Sequence, residues 1–181
     1  MHAAQDVLDF WFVEHGEKDW FGGKPEFDAA LAARFLHTHR SVAGGEAAFW
    51  RASPSGRLAE IIVLDQFSRQ LFRGRAEAFA SDAMALELAR AAIAAGDDLR
   101  LEPRRRQFVY MPFMHAESLA VHEAESIPIF ERHGDEGLLA YEMAHVEVLR
   151  RFGRYPRRNS ALGRASTPAE RDYIESGTGM F

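Results

Sequence analysis

Residues typical of helix starts and helix ends divide the sequence into segments of helical length. This pattern constrains the fold more than any other feature. Ser53 precedes Pro54 and begins a segment that Gly74 closes, and Ser81 begins another that stops at Gly96. Serine and proline are favoured at the first positions of a helix, and glycine is favoured just after its end. The spacing therefore predicts one helix after each of these serines.

The second half of the chain carries the clearest helix signals. Asp135 precedes an apolar stripe that runs to about Phe152, with Gly153 as its stop, and Thr167-Pro-Ala-Glu170 has the form of a capping box. Strands are not indicated, because Val, Ile and Thr together number 17 in 181 residues and no stretch alternates apolar with polar residues over six positions. The sequence predicts an all-α chain of about eight helices, forming a single domain over residues 1–181 as a bundle or stacked array of antiparallel neighbours.

Pro112 falls inside a segment that otherwise has helical character. Proline disfavours helical angles in the residue before it and removes one backbone donor. We therefore expect the helix that opens at Pro103 to break or kink at Met111, and a new helix to run from Pro112 to about Glu125.

Composition excludes several classes of protein. The chain has no Cys, which excludes disulfide scaffolds and leaves nothing to indicate an oxidising compartment. No apolar run approaches the roughly 20 residues that a membrane-spanning helix needs, and the amino-terminal apolar stretch contains Asp6 and Asp9, unlike a signal peptide. The cytoplasm is the expected location. A net charge of −5 argues against a nucleic-acid-binding surface.

Two charged residues interrupt the apolar face of the predicted helix after Ser53. Asp65 and Arg69 lie four residues apart and share that face with Leu58 and Ile62. If they are buried, they would satisfy each other as an ion pair. The pair is either a structural ion pair that links two helices or part of the wall of a pocket in which Arg69 binds an anion.

Histidines mark two further segments. His145 lies in the apolar stripe that ends near Phe152, three residues after Glu142. A Glu-x-x-His pair contributes to di-iron sites in helical bundles, but no second copy occurs in the chain. His115 and His122 are seven residues apart, which differs from the four-residue spacing of the zinc-protease helix. No metal site is predicted, and His145 and His115 are interpreted either as core histidines or as acid–base groups.

An arginine-rich stretch precedes the last predicted helix. Residues 150–164 contain six Arg, no acid and the only Asn of the chain, Asn159. Because the chain as a whole is acidic, a nucleic-acid surface is the weaker interpretation. We expect this loop to fold back over the bundle, with some Arg neutralising acids of neighbouring helices and one or two facing an anionic ligand.

Several short sequences follow one another along the chain. They are DQFSRQLFRG at 65–74, FASD at 79–82, MPFMHAE at 111–117, RFGRYPRRN at 151–159 and LGRASTPAE at 162–170. In this order they resemble the successive motifs of the bacterial DUF924 family, and the resemblance covers almost the whole chain. It implies a tetratricopeptide-like array of helices. It implies no particular activity, because the biochemical function of the family is not established.

The resemblance also implies which polar residues form a shared site. The positions that match family motifs are Asp65, Gln66, Arg69, Asp82, His115, Glu117, Arg154 and Asn159, and His145 lies in the helix that leads into the last motifs. Two residues depart from the family pattern. Arg157 stands where His is more frequent, and His122 stands where Gln is expected.

Two functions are consistent with these residues. In the first, the chain is a binding module that holds a small anionic ligand or a partner peptide in a polar pocket and performs no chemistry. The ligand contacts would then be Arg69, Gln66, Arg154 and Asn159. In the second, it is a hydrolase or lyase that acts on a small anionic substrate. The candidate catalytic groups would then be His145, His115, Asp65 and Glu117.

A third, purely structural interpretation is that the polar motifs only specify how the helices pack. The sequence alone does not decide whether the chain is an enzyme. It names no cofactor, and it leaves the oligomeric state open.

Overall fold

The computed structural model describes residues 1–21 and 23–177. All regular secondary structure in these residues is helical, without a strand, which confirms the all-α prediction. α-Helices and the π-helical turns continuous with them give nine helical segments in this part of the chain, close to the predicted eight. None of the described helices is long and apolar enough to cross a lipid bilayer.

Backbone contacts divide the chain into two compact units. The first unit contains residues 1–73 and 77–112, and the second contains residues 74–76 and the chain from residue 113 onward. That residues 1–181 behave as a single domain stays a prediction.

The first unit contains six short to medium α-helices and most of a seventh. They are α1 (Ala4–Asp9), α2 (Glu17–Trp20), α3 (Pro25–Ala43), α4 (Pro54–Ile62), α5 (Ser68–Leu71), α6 (Asp82–Ala94) and α7 (Pro103–Met114). A π-helical turn, Phe10–Glu14, continues α1, and another, Val63–Phe67, joins α4 to α5. The helix predicted after Ser53 is thus present, with a π-helical turn in its middle that the sequence pattern did not indicate.

Aromatic side chains fill the core of the first unit. The indoles of Trp11 and Trp20 stack at 5.3 Å, and Phe108 meets Trp20 edge to face at 5.0 Å. Phe35 and Phe67 contact each other at 5.3 Å in the same core. Such pairs contribute beyond their buried area, so this cluster links α2, α3 and α7 to the two π-helical turns.

The predicted break at Met111 is wrong, and so is the helix predicted from Pro112 to about Glu125. α7 runs without interruption from Pro103 to Met114, with Pro112 inside it. Pro112 stands in the last turn, so the bond lost to its missing N–H is one of the final bonds of a helix that ends two residues later. The chain then turns, and the next helix begins after Ser118, whose side chain accepts a bond from the backbone N–H of Val121.

The described part of the second unit, which ends at residue 177, contains four α-helices. They are α8 (Leu119–Val121), α9 (Ile127–His133), α10 (Glu136–Phe152) and α11 (Pro168–Glu175), and the π-helical turn His122–Ser126 joins α8 to α9. The predicted ends of α10 are confirmed, because the side chain of Asp135 caps its start and Gly153 takes a left-handed φ of 69° at its end. The predicted capping box of α11 is also present. Val148, Leu149, Tyr155 and Tyr173 form a buried apolar cluster in this unit.

Candidate functional site

Asp65, Gln66 and Arg69 lie in the first unit, and the π-helical turn Val63–Phe67 positions the first two. Arg69 contacts Asp65 Oδ1 at 3.0 Å and binds both carboxylate oxygens of Asp82 at 3.0 and 3.2 Å. Gln66 donates to Asp65 Oδ2 at 2.6 Å and to the sulfur of Met111 at 3.4 Å. This is the geometry of a structural ion pair, and an anion-binding role for Arg69 or a catalytic role for Asp65 stays a prediction.

Glu117 lies in the second unit, where it holds the arginine-rich loop. Its carboxylate receives two bonds from Arg164, at 2.7 and 2.9 Å, and a third from the backbone N–H of Tyr155 at 2.6 Å. Burial would raise the pKa of Glu117, but these bonds outweigh it and hold the pKa below its usual value. Asn159 accepts a bond from Arg164 and donates one to Ser166. We call the group of Glu117, Arg164 and Asn159 the loop clasp.

Arg154 binds the carboxylate of Glu170 through two bonds of 2.7 and 2.9 Å. The guanidinium holds the pKa of Glu170 at about 2, and Glu170 also closes the capping box of α11. Around this pair is a cleft of about 490 Å³, lined by Arg151, Phe152, Arg154, Thr167, Ala169 and Glu170. We call it the Arg151 cleft. Arg154, a predicted ligand contact, thus lines a concave surface.

A buried hydrogen-bonded chain links three residues of the second unit. Glu142 Oε1 lies 2.6 Å from His122 Nδ1, and both side chains are completely buried. His122 Nε2 faces the carbonyl of Ala116 at 2.9 Å, so this nitrogen carries a proton, and it also lies 3.0 Å from the hydroxyl of Tyr155. The Tyr155 hydroxyl donates to the carbonyl of Met114 at 2.8 Å.

His145, on α10, lies beside these three hydrogen-bonded residues. Its ring meets Tyr155 edge to face at 5.6 Å, and the ring of His115 lies 6.5 Å away. His145 Nδ1 is 2.7 Å from the carbonyl of Tyr141, which can only accept, so Nδ1 carries the proton of the neutral ring. Burial first, with the charges of neighbouring groups in addition, lowers the pKa of His145 to about 3.

The structure brings together only some of the predicted site residues. Within the second unit, His115 adjoins His145, and Glu117 adjoins Asn159 through Arg164. No group of three or more His, Asp or Glu side chains in residues 1–21 and 23–177 could hold a metal ion.

The sequence reasoning missed the roles of several residues. These are Arg164, Tyr155, His122 and Glu142. Two signals were available: the arginine-rich stretch 150–164, whose arginines were expected to pair with nearby acids, and the position of Glu142 one turn before His145 on the same helix.

The comparisons with known proteins agree with the fold. Residues 7–178 match the family described as "Bacterial protein of unknown function (DUF924)". A solved structure of a protein of unknown function from Agrobacterium tumefaciens, ATU0120, is 36% identical to this chain with a TM-score of 0.90. The similarity covers 96% of this chain and 97% of that one. No curated protein matches the sequence.

Proposed function

The chain belongs to the DUF924 family, and from this premise we propose that it is a binding module for a small carboxylate or phosphate ligand. The ligand would lie in the Arg151 cleft, at the junction of α10 and α11. A volume of about 490 Å³ lies within the range of small-molecule sites. Apolar and basic side chains line the cleft together, as expected for a module that binds an anion with an organic body.

The main support for this proposal is the net positive charge of the Arg151 cleft. Glu170 is its one acid, and Arg154 already neutralises it through the two-bond pair. The Arg151 guanidinium lies 4.7 Å from the Phe152 ring centre, and no carboxylate of the described residues pairs with it. The amino terminus of α11 adds a partial positive charge at the same place. One positive charge therefore remains for a ligand.

Isothermal titration with sodium phosphate and sodium citrate at low ionic strength tests this function. Arg151→Ala is expected to weaken binding by about tenfold or more, because it removes a charge-assisted contact. Arg150→Ala is the matched control, because Arg150 is the neighbouring exposed arginine and pairs with Glu123 outside the cleft. Both variants lose one positive charge, so a general electrostatic effect would be equal in the two.

The results separate the possibilities. Binding that falls in Arg151→Ala and is retained in Arg150→Ala supports the cleft as the site. Binding that falls equally in both variants, or an absence of binding to either anion, contradicts it. A partner peptide is the remaining ligand from the sequence analysis, and a titration with an acidic peptide tests it in the same two variants.

We also propose that the helices form a tetratricopeptide-like array and that the protein resides in the cytoplasm. The short connections between successive helices support the first statement. The absence of Cys is compatible with the second. Fractionation of cells that produce the tagged protein tests the location.

A further inference from the structure

We propose that the first unit carries a docking surface for an acidic peptide segment of a partner protein. We call this surface the Arg104 patch, and it consists of Phe12, Trp20, Phe21, Arg104 and Arg105. The patch belongs to the first unit, whereas residues of the second unit form the Arg151 cleft. The inference goes beyond the proposed function, because it assigns a second binding surface with a macromolecular partner.

Three aromatic rings form the base of the patch. The Trp20 ring contacts the Phe12 ring at 5.7 Å and the Phe21 ring at 6.1 Å, in both cases edge to face. Trp20 Nε1 also donates to the carbonyl of Trp11 at 2.8 Å, which fixes the orientation of the indole. Phe12 and Trp20 are buried, whereas Phe21 is 62% exposed. Two rings are thus held by the core, and the third presents an apolar surface to solvent.

Two arginines from the first turn of α7 stack on the buried rings. The Arg104 guanidinium lies 5.1 Å from the Trp20 ring centre, and the Arg105 guanidinium lies 5.0 Å from the Phe12 ring centre. Such contacts hold a guanidinium in place while its N–H groups stay available as donors. Neither side chain donates a hydrogen bond to the described residues or forms an ion pair with them. Because Arg104 is exposed and Arg105 half-buried, two positioned positive charges remain for a ligand.

The charges and the exposed ring together indicate a partner that combines carboxylates with an apolar side chain. A carboxylate accepts two parallel bonds from a guanidinium, and an arginine that is already held in place loses little conformational entropy on binding. Along the patch the ring centres are 5.7 and 6.1 Å apart. Alternate side chains of an extended peptide share one face and lie about 7 Å apart. An extended segment therefore fits with one apolar side chain on Phe21 and two carboxylates on Arg104 and Arg105.

Nucleic acids and anionic membranes fit the patch less well. Binding to nucleic acid depends on many phosphate contacts, and membrane-binding segments carry clusters of about 4–8 cations. The patch supplies two cations, and the net charge of −5 on the chain repels an extended polyanion. A peptide segment with two carboxylates matches the number of unpaired arginines in the patch.

Fluorescence anisotropy with a synthetic peptide tests this inference on the full chain. The probe is a fluorescein-labelled peptide with leucine, glutamate and glutamate at alternate positions and serine between them. The control peptide has glutamine in place of both glutamates. At low ionic strength we expect the acidic peptide to bind at least about tenfold more tightly than the glutamine peptide. Equal binding of the two peptides, or no binding of the acidic one, overturns the inference.

Substitutions locate the binding surface. Arg104→Gln is expected to weaken binding of the acidic peptide about fivefold or more, and Phe21→Ser about threefold or more. Arg40→Gln is the matched control, because Arg40 is also exposed and has no ion pair among the described residues, but it stacks on none of their rings. All three side chains are exposed, so the urea midpoint should not change. Equal losses in the two arginine variants, or unchanged binding in Arg104→Gln and Phe21→Ser, overturn the inference.

The remaining arms of the experiment identify the site and the class of partner. The acidic peptide should bind Arg151→Ala as it binds the wild type, and a loss in that variant alone would place the peptide in the Arg151 cleft and overturn this inference. An oligothymidylate, or phosphatidylserine vesicles, that bind more tightly than the peptide and lose binding in Arg104→Gln would also overturn it. Binding of phosphate and citrate in the Arg151 cleft is measured separately, so this inference and the proposed function can fail independently.

Discussion

Replacing Glu117 by Ala is expected to lower the free energy of unfolding by about 3 kcal/mol. Its carboxylate accepts two bonds from Arg164 and one from the backbone N–H of Tyr155. A hydrogen bond to a charged group contributes roughly 1.5–3 kcal/mol when buried. The Glu117 and Arg164 side chains are 23% and 24% exposed, so solvent screening reduces each contribution to about 1 kcal/mol.

Urea unfolding followed by far-ultraviolet circular dichroism measures this loss. With a slope of about 2 kcal/mol per molar, the midpoint should fall by about 1.5 M. The matched control is Glu123→Ala, because Glu123 also pairs with an arginine, Arg150, but the two side chains are 51% and 46% exposed. The control should cost less than about 0.5 kcal/mol. Equal midpoint shifts in the two variants would refute the idea that the loop clasp holds the arginine-rich loop.

Three further predictions concern buried groups. The folded pKa values of His39 and His145, about 4 and about 3, lie below the unfolded value near 6.5, so the unfolded chain takes up protons first as the pH falls. The free energy of unfolding should therefore decline below about pH 7, by up to about 1.4 kcal/mol per pH unit for each histidine. In a plot of the urea midpoint against pH, His39→Gln should have a smaller slope than the wild type. Gly56→Ala should prevent stable folding, because the added carbon would overlap the backbone oxygen of Trp50; an unchanged melting temperature would contradict this. Tyr155→Phe should cost about 1–3 kcal/mol in thermal melts, since its hydroxyl bonds are lost, and a stability equal to wild type would show that they contribute nothing.

The helices could be predicted from the sequence wherever local chemistry sets their ends. Asp135, Gly153 and the Thr167–Glu170 box act on backbone groups within one turn, so the residues themselves show where α10 and α11 begin or end. Pro112 misled the prediction because its effect depends on how much helix follows it, and α7 ends only two residues later. The π-helical turns were missed because their extra residues are accommodated by tertiary packing, which no local pattern records.

For the candidate site, the sequence could predict which polar residues take part but not which of them contact each other. Polar residues in apolar stripes, such as Asp65 and His145, were recognisable from spacing alone. Their partners were not, because the pairs are distant in sequence: Arg164 and Glu117 are 47 residues apart, and His122 and Glu142 are 20 apart. An arginine is available to a ligand only if no carboxylate of the protein neutralises it. Because such pairs are distant in sequence, only the structure shows which arginines are neutralised.

The π-helical turn between α4 and α5 is the place where this helix can lose a residue without losing its alignment. Such a turn holds one residue more than an α-helical path of the same span. Deleting a single residue from Val63–Phe67 would therefore restore regular α-helix and leave Arg69 facing Asp82 on α6. The same deletion in the middle of the regular helix α3 would rotate everything beyond it by about 100°. The extra residue thus changes only the turn itself, which positions Asp65 and Gln66.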